Sequence, residues 1–366
     1  MQTSVIESIH DEHGATFGER DGRRVVDHYG RPERAHRAVR NGVGLIEYAY
    51  GVIVVEGDDR LEYVDNVISN RVPDADGEGC YALLLDPQGR IESDLYVYNA
   101  GERLLLFTPP SHADTIAADW AEKVFIQDVE IRDATDEFAV FGIHGPMATE
   151  KIASVLTGPS TPDERFTFVR GSMGDAGVSV VRTDGLAGEE SYEVICRADD
   201  AAHVHDTLST QGLNAAPFGY RTWDSLTLEA GSPLFQTDLE GTIPNVLGLR
   251  LALDFEKGCY VGQEVVSRVE NRGQPSRRLV GLTLEGEALP DHGATVFDGD
   301  ATVGEVSRAG VSPLLETTLA LAFVEYDLAT ENLTVRVDGE DVPARRADLP
   351  FVDGSEESAR VPAYES

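Results

Sequence analysis

After about Arg278 the hydrophobic period of this chain shortens to two, and that switch restricts its fold more than any other feature. The stretches "RRLVGLTLEGE", "ATVFDGDATVGEVSRAG", "TLALAFVEY" and "LTVRVDGEDVPARRA" each alternate apolar with polar residues and are separated by Gly/Asp turns. Alternation puts the apolar side chains of a strand on one face. Several such strands at close spacing bury that face by forming a small antiparallel barrel or a sandwich. Residues 278–352 are therefore expected to form a separate β domain. The polar end, "DGSEESARVPAYES" (353–366), is expected to fray as an acidic tail.

Residues 1–277 read differently. "GVIVVEG", "LLLFTPP", "FAVFGIHGP" and "VSVVRTD" are strand candidates, while "RPERAHRAVRNGVG", "DRLEYVDNVISNRV", "SHADTIAADWAEKVF" and "DDAAHVHDTLSTQGLNAA" carry apolar residues at helical spacing. Strands and helices mix without strict alternation, which favours an α+β region over a doubly wound sheet.

Composition excludes several functions. Lys+Arg is 30 against Asp+Glu 65, a formal net charge of −35, and the only lysines are Lys123, Lys151 and Lys257. An arginine-dominated acidic surface suits concentrated salt, where screening shortens self-repulsion, and the expectation is a salt-loving archaeal source. Duplex binding needs cations against phosphates, so neither nucleic acid nor an anionic membrane is an expected partner. No apolar run reaches the roughly 20 residues that span a bilayer. Cys80, Cys196 and Cys259 are too few and scattered for a disulfide framework, and a cytoplasmic location is expected. There is no phosphate loop, GxGxxG, CxxC, HExxH or GxSxG. The pair His203 and His205 stands at a spacing that does not share a helix face, so no metal site is expected.

One stretch stands out. "KGCYVGQEVVSR" sets Lys257, one of only three lysines, two residues from Cys259 in a chain that writes nearly all its positive charge as arginine. A neighbouring cation or helix N-terminus stabilises a thiolate, and a compact ammonium is not interchangeable with a guanidinium at a tight site. The bland alternative makes Cys259 a small buried hydrophobe and Lys257 a solvated charge.

This stretch, extended to "KGCYVGQEVVSRVENRGQPSRRLVGL", resembles the YgfZ family, whose pattern is K-G-C-Y-x-G-Q-E. That family is related to the glycine cleavage T-proteins, the aminomethyltransferases. The resemblance runs over nearly the whole chain through "GLIEYAYGVIVVEG", "YALLLDPQGRIESDLYVY", "WDSLTLEAGSPLF" and "VGEVSRAGVSPLLETTLALAFV". T-proteins usually carry an acid and an aromatic where Cys259 and Tyr260 stand, an arginine where Trp223 stands, and paired aspartates where this chain has Ser93 and Asp94. Cys259 and Trp223 point to the YgfZ branch; Asp94 keeps transferase chemistry open.

The resemblance implies a multi-domain folate-binding fold with a C-terminal antiparallel barrel and tetrahydrofolate as cofactor. It implies support of iron–sulfur client enzymes or their assembly, including a tRNA-modifying enzyme, without the chain itself carrying a cluster. The alternative is a folate-dependent aminomethyltransferase or demethylase. By the same resemblance Glu193 would accept the pterin's N–H groups. Tyr81 and Trp223 would line the ring or belong to the core, with Tyr260, Gln263 and Glu264 as further cofactor contacts. Cys259 would be the working thiol, Lys257 its tuner, and Asp94 the acid of the transferase alternative. Arg277 and Arg278 could meet folate carboxylates or lie on the surface.

Overall fold

The alternation near the C-terminus closes on itself. In the computed structural model, which describes residues 3–364, six antiparallel strands form a closed barrel in the order Arg277–Leu284, Thr317–Glu325, Ala301–Ser312, Thr295–Asp298, Asn332–Val337 and Glu340–Ala347. Leu282 faces Ala320 and Leu284 faces Thr318 across the first pair. Leu282, Leu284, Ala320, Ala322, Val324, Leu333, Val335 and Val337, all two apart along their strands, fill the interior. The opposite parity, Leu279, Leu319 and Leu321, packs outward into the core of the rest of the molecule.

That rest is α+β. One sheet has five strands, in the order Gly79–Leu85, Ile91–Asn99, Arg103–Thr108, Gly51–Glu56 and Glu130–Asp133. The other has six, in the order Phe168–Met173, Ala176–Arg182, Ser191–Arg197, Phe138–His144, Gly44–Tyr48 and Ala216–Pro217. The central strands of both sheets read as continuous apolar runs because both faces are covered. In the first sheet Ile53, Val55, Ala82, Val97, Leu104 and Leu106 pack under the helices Arg60–Val67 and Ala113–Glu122. In the second, Leu45, Phe141, Ile143, Tyr192 and Val194 pack under Ala148–Val155 and Ala201–Thr210. The other faces of the two sheets share one central core with the helix Tyr220–Glu229 and the outer barrel face.

Buried polar bonds fix the barrel to that helix. Glu229, with no exposed surface, accepts from His36, Arg40 and the barrel residue Ser312. Arg308 of the barrel donates to the Thr227 hydroxyl and the Ser232 carbonyl, and Ser307 donates to Asp238.

The segment after Asp353 does not fray over the residues described. Ser355 donates its backbone N–H to Glu189, Glu356 pairs with Arg165 and Arg182, and Ser358 and Arg360 are buried. Glu356 meets arginines on and beside the second sheet, and Arg360 meets the buried Asp184 and the half-buried Asp94. Polar composition alone does not distinguish a solvated tail from one whose charges are matched.

Candidate functional site

A cavity of about 650 Å3 opens between the two sheets, the helix Tyr220–Glu229 and the barrel. Its wall includes Tyr48, Tyr50, Tyr96, Phe107, Trp223 and Phe235, with Asp94, Arg308 and Arg360 among the charged residues. Period two explains the clustering: Tyr96 and Asp94 share a face of the strand Ile91–Asn99 and look into the same space. The rings meet edge to face, Tyr48 to Trp223 at 5.3 Å and Tyr50 to Phe107 at 5.7 Å between centroids, a preferred aromatic geometry.

The aromatic wall is oriented by buried polar groups. The Ser191 hydroxyl donates to the Glu189 carbonyl, so it must accept from His144 Nδ1–H at 2.8 Å. Nε2 of His144 is then bare and accepts from the Tyr48 hydroxyl at 2.7 Å. Burial pushes the His144 pKa down to about 3, which keeps the ring neutral, and its two hydrogen bonds fix the tautomer. Gly142 makes room for the arrangement: a Cβ there would stand 2.5 Å from the Tyr48 ring and 2.6 Å from His144 Nε2.

Three acids bond to the tyrosines and arginine in and behind this wall. Glu193, on the strand Ser191–Arg197, is buried behind Tyr50, whose hydroxyl donates to it at 2.9 Å. Burial is the main reason its carboxyl is pushed up to about 8, so it is neutral below that pH. Next in that region, the Tyr98 hydroxyl is buried without a partner among the described residues. Asp94 lies half-buried and accepts from Tyr81 at 3.0 Å and Arg360 at 3.2 Å. Asp184 is fully buried and accepts from Tyr96 at 2.9 Å and Arg360 at 2.8 Å.

Of the residues singled out in the sequence, Asp94 and Trp223 line the cavity, and Glu193 and Tyr81 stand directly behind its wall. None of Lys257, Cys259, Tyr260, Gln263 and Glu264 lines it. The Lys257 ammonium is buried and donates to the carbonyls of Asp65, Ile68 and Asn70. It therefore holds the loop after the helix Arg60–Val67, while Cys259 is exposed rather than packed as a small hydrophobe. The thiol that feels the Lys257 charge is Cys80, which burial nonetheless pushes up to about 12. Tyr260 is buried with its ring 5.7 Å from the Lys257 ammonium. The Gln263 amide reaches back to the Lys257 carbonyl, and Glu264 is exposed and paired with Arg268. Arg277 pairs with Glu305, and Arg278 donates to the Leu328 carbonyl; neither lines the cavity. Among the described residues no cluster of His, Cys, Asp and Glu is arranged to hold a metal ion, and no helix is long and apolar enough to cross a membrane.

Residues 6–257 match the GCVT N-terminal domain, and residues 277–353 match the glycine cleavage T-protein C-terminal barrel domain. The chain belongs to the glycine cleavage T-protein family. It is similar to the aminomethyltransferase of Halothermothrix orenii, 30% identical over 96% of this chain and 100% of that protein. It is similar also to that of Geobacillus kaustophilus, 31% identical over 96% of this chain and 98% of the relative. The crystal structure of glycine cleavage system aminomethyltransferase T from Bartonella henselae has the same fold, with a TM-score of 0.86 at 22% identity over 97% of this chain and 99% of the other.

Proposed function

We propose that this chain is a tetrahydrofolate-dependent aminomethyltransferase that takes a one-carbon unit from an aminomethylated lipoyl carrier protein and releases ammonia. The observation that carries the reading is Asp94, a carboxylate set into the cavity wall beside Tyr50, Tyr96 and Phe107. Curated relatives about 30% identical over nearly their whole length bear the name aminomethyltransferase, which supports it. We read 1–277 as the folate-binding part and 278–352 as the barrel unit.

The residues present fit a reduced folate. Tyr48, Tyr50, Tyr96 and Trp223 offer planar apolar walls. Behind that wall Glu193, once ionised, offers Oε2 in addition to the oxygen that accepts from Tyr50, and the Tyr98 hydroxyl has no partner among the described residues. When bound, tetrahydrofolate supplies the nitrogen that receives the one-carbon unit. Asp94 would hold and return the proton at that nitrogen.

The test is tetrahydrofolate-dependent ammonia release in multimolar salt, with folate binding followed in the same sample. Turnover is expected, and Asp94→Asn should lower it about 100-fold or more, the range for a proton-transfer group. Binding without turnover would refute the transferase and favour a YgfZ-like role in iron–sulfur cluster maintenance. One observation speaks for that second reading: Cys259 is exposed within "KGCYVGQE".

A further inference from the structure

Residues 354–364 lie beyond both matched domains, yet they cross the molecule and end up in the site. The segment is held along its length. Ser355 donates to Glu189, Ser358 accepts from Ser232, the Ala359 N–H donates to the Asp184 carbonyl, and the Ala363 N–H donates to the Gly248 carbonyl. The Tyr364 hydroxyl accepts from the Leu279 N–H of the barrel. Between these anchors Arg360 enters the cavity wall with 2% of its surface exposed.

The guanidinium lies over the Tyr81 ring, 3.8 Å from its centroid. Its nitrogens then reach three groups around it: Asp94 Oδ2 at 3.2 Å, Asp184 Oδ2 at 2.8 Å, and the Tyr96 hydroxyl. The Tyr81 hydroxyl also donates to Asp94 Oδ2, at 3.0 Å. Both bonds to Asp94 thus fall on one oxygen, and Oδ1 has no protein donor among the described residues. A clamp of this form fixes the carboxylate and leaves one oxygen for a ligand. The docking bonds elsewhere along the segment mean that Arg360 is not needed merely to tether it.

We propose that Arg360 is a positioning residue of the site, delivered by a C-terminal strap to hold the Asp94 carboxylate in the cavity wall with Oδ1 directed to the reacting molecule. A flat fork stacked on an aromatic ring does this; a lysine cannot present the same set of in-plane donors. Without the guanidinium the buried Asp184 would lose its ion pair, and Asp94 would lose one of its two anchors.

The consequence for turnover rests on the aminomethyltransferase reading; the contact itself does not. Arg360→Gln is expected to lower kcat about 100-fold, the scale of a misplacement near 1 Å. The KM for tetrahydrofolate should stay within about threefold, since an orienting contact acts on the chemical step. The double variant Arg360→Gln/Asp94→Asn should fall no further than Asp94→Asn alone, because two residues acting as one unit are not additive. A wild-type kcat in Arg360→Gln, a loss confined to KM, or multiplicative losses in the double variant would overturn the inference. If Arg360→Gln does not fold, Arg360→Lys keeps the charge without the fork. It should still lose about tenfold in kcat, and a wild-type kcat there would overturn the inference equally. If the unaltered protein shows no turnover, the transferase reading fails, and thermal midpoints of Asp94→Asn, Arg360→Lys and their combination decide the contact. Non-additive shifts support the clamp; additive shifts refute it.

Discussion

Replacing Glu193 by Gln tests the electrostatics of the site without any ligand. Gln is close in shape to the protonated carboxyl and can still accept from Tyr50. In the unfolded chain the carboxyl ionises at about its ordinary 4.5; in the folded protein burial delays this to about 8. Between those values the folded state holds the proton and the unfolded state does not. The stability linked to this proton is therefore complete below pH 4.5 and is lost as pH rises towards 8. At about 1.4 kcal/mol per pH unit, the interval amounts to about 5 kcal/mol. Urea denaturation of both proteins at a series of pH values measures it. The two should be equally stable near pH 4.5, and Glu193→Gln should gain steadily to a plateau above pH 8. A difference that does not change with pH would refute the reasoning, as would a wild type more stable than the variant at pH 9. A folate held by the ionised carboxylate should tighten about tenfold per pH unit up to that plateau, and the variant should lose this dependence.

The opening lysine and cysteine should behave in opposite ways. Lys257→Met strips the donor from three carbonyls and should cost about 3 kcal/mol or more by denaturant titration, given 1–3 kcal/mol per group left unsatisfied. Cys259→Ala, at an exposed position, should stay within about 0.5 kcal/mol of wild type. Glu229→Ala leaves Arg40 buried without this counter-charge and removes the Ser312 acceptor; a loss of about 3–5 kcal/mol is expected by the same titration.

The architecture was legible because it rests on periodicity. The two-residue period after Arg278 and the apolar runs "GVIVVEG" and "FAVFGIHGP" map onto strands in the fold, since side-chain direction follows from backbone geometry alone. The site was legible only in part. Asp94, Glu193 and Trp223 could be chosen through family likeness. Tyr48, Tyr50 and Tyr96 carried a usable signal that was passed over, because "EYAY" and "DLYVY" repeat tyrosine at the spacing of one strand face. Arg360 carried none: its acidic partners Asp94 and Asp184 lie 266 and 176 residues away. "KGCYVGQE" misled for a related reason. Nearness in sequence suggested that Lys257 serves Cys259, whereas the ammonium is satisfied by carbonyls more than 180 residues away.

The bonds from Arg308 and Ser312 into the helix Tyr220–Glu229 change what the connector at Gly273–Ser276 has to do. The position of the barrel is set by matched buried groups and an outward apolar face, so the covalent link supplies only proximity. Lengthening a loop adds little entropy of closure, roughly 0.6 kcal/mol per doubling. Extra residues inserted at the connector, or a single backbone nick there, would leave the cavity's geometry as it is. Swinging the barrel about this joint would break those same buried bonds, so movement of side chains and surface loops is the less costly way to admit a ligand.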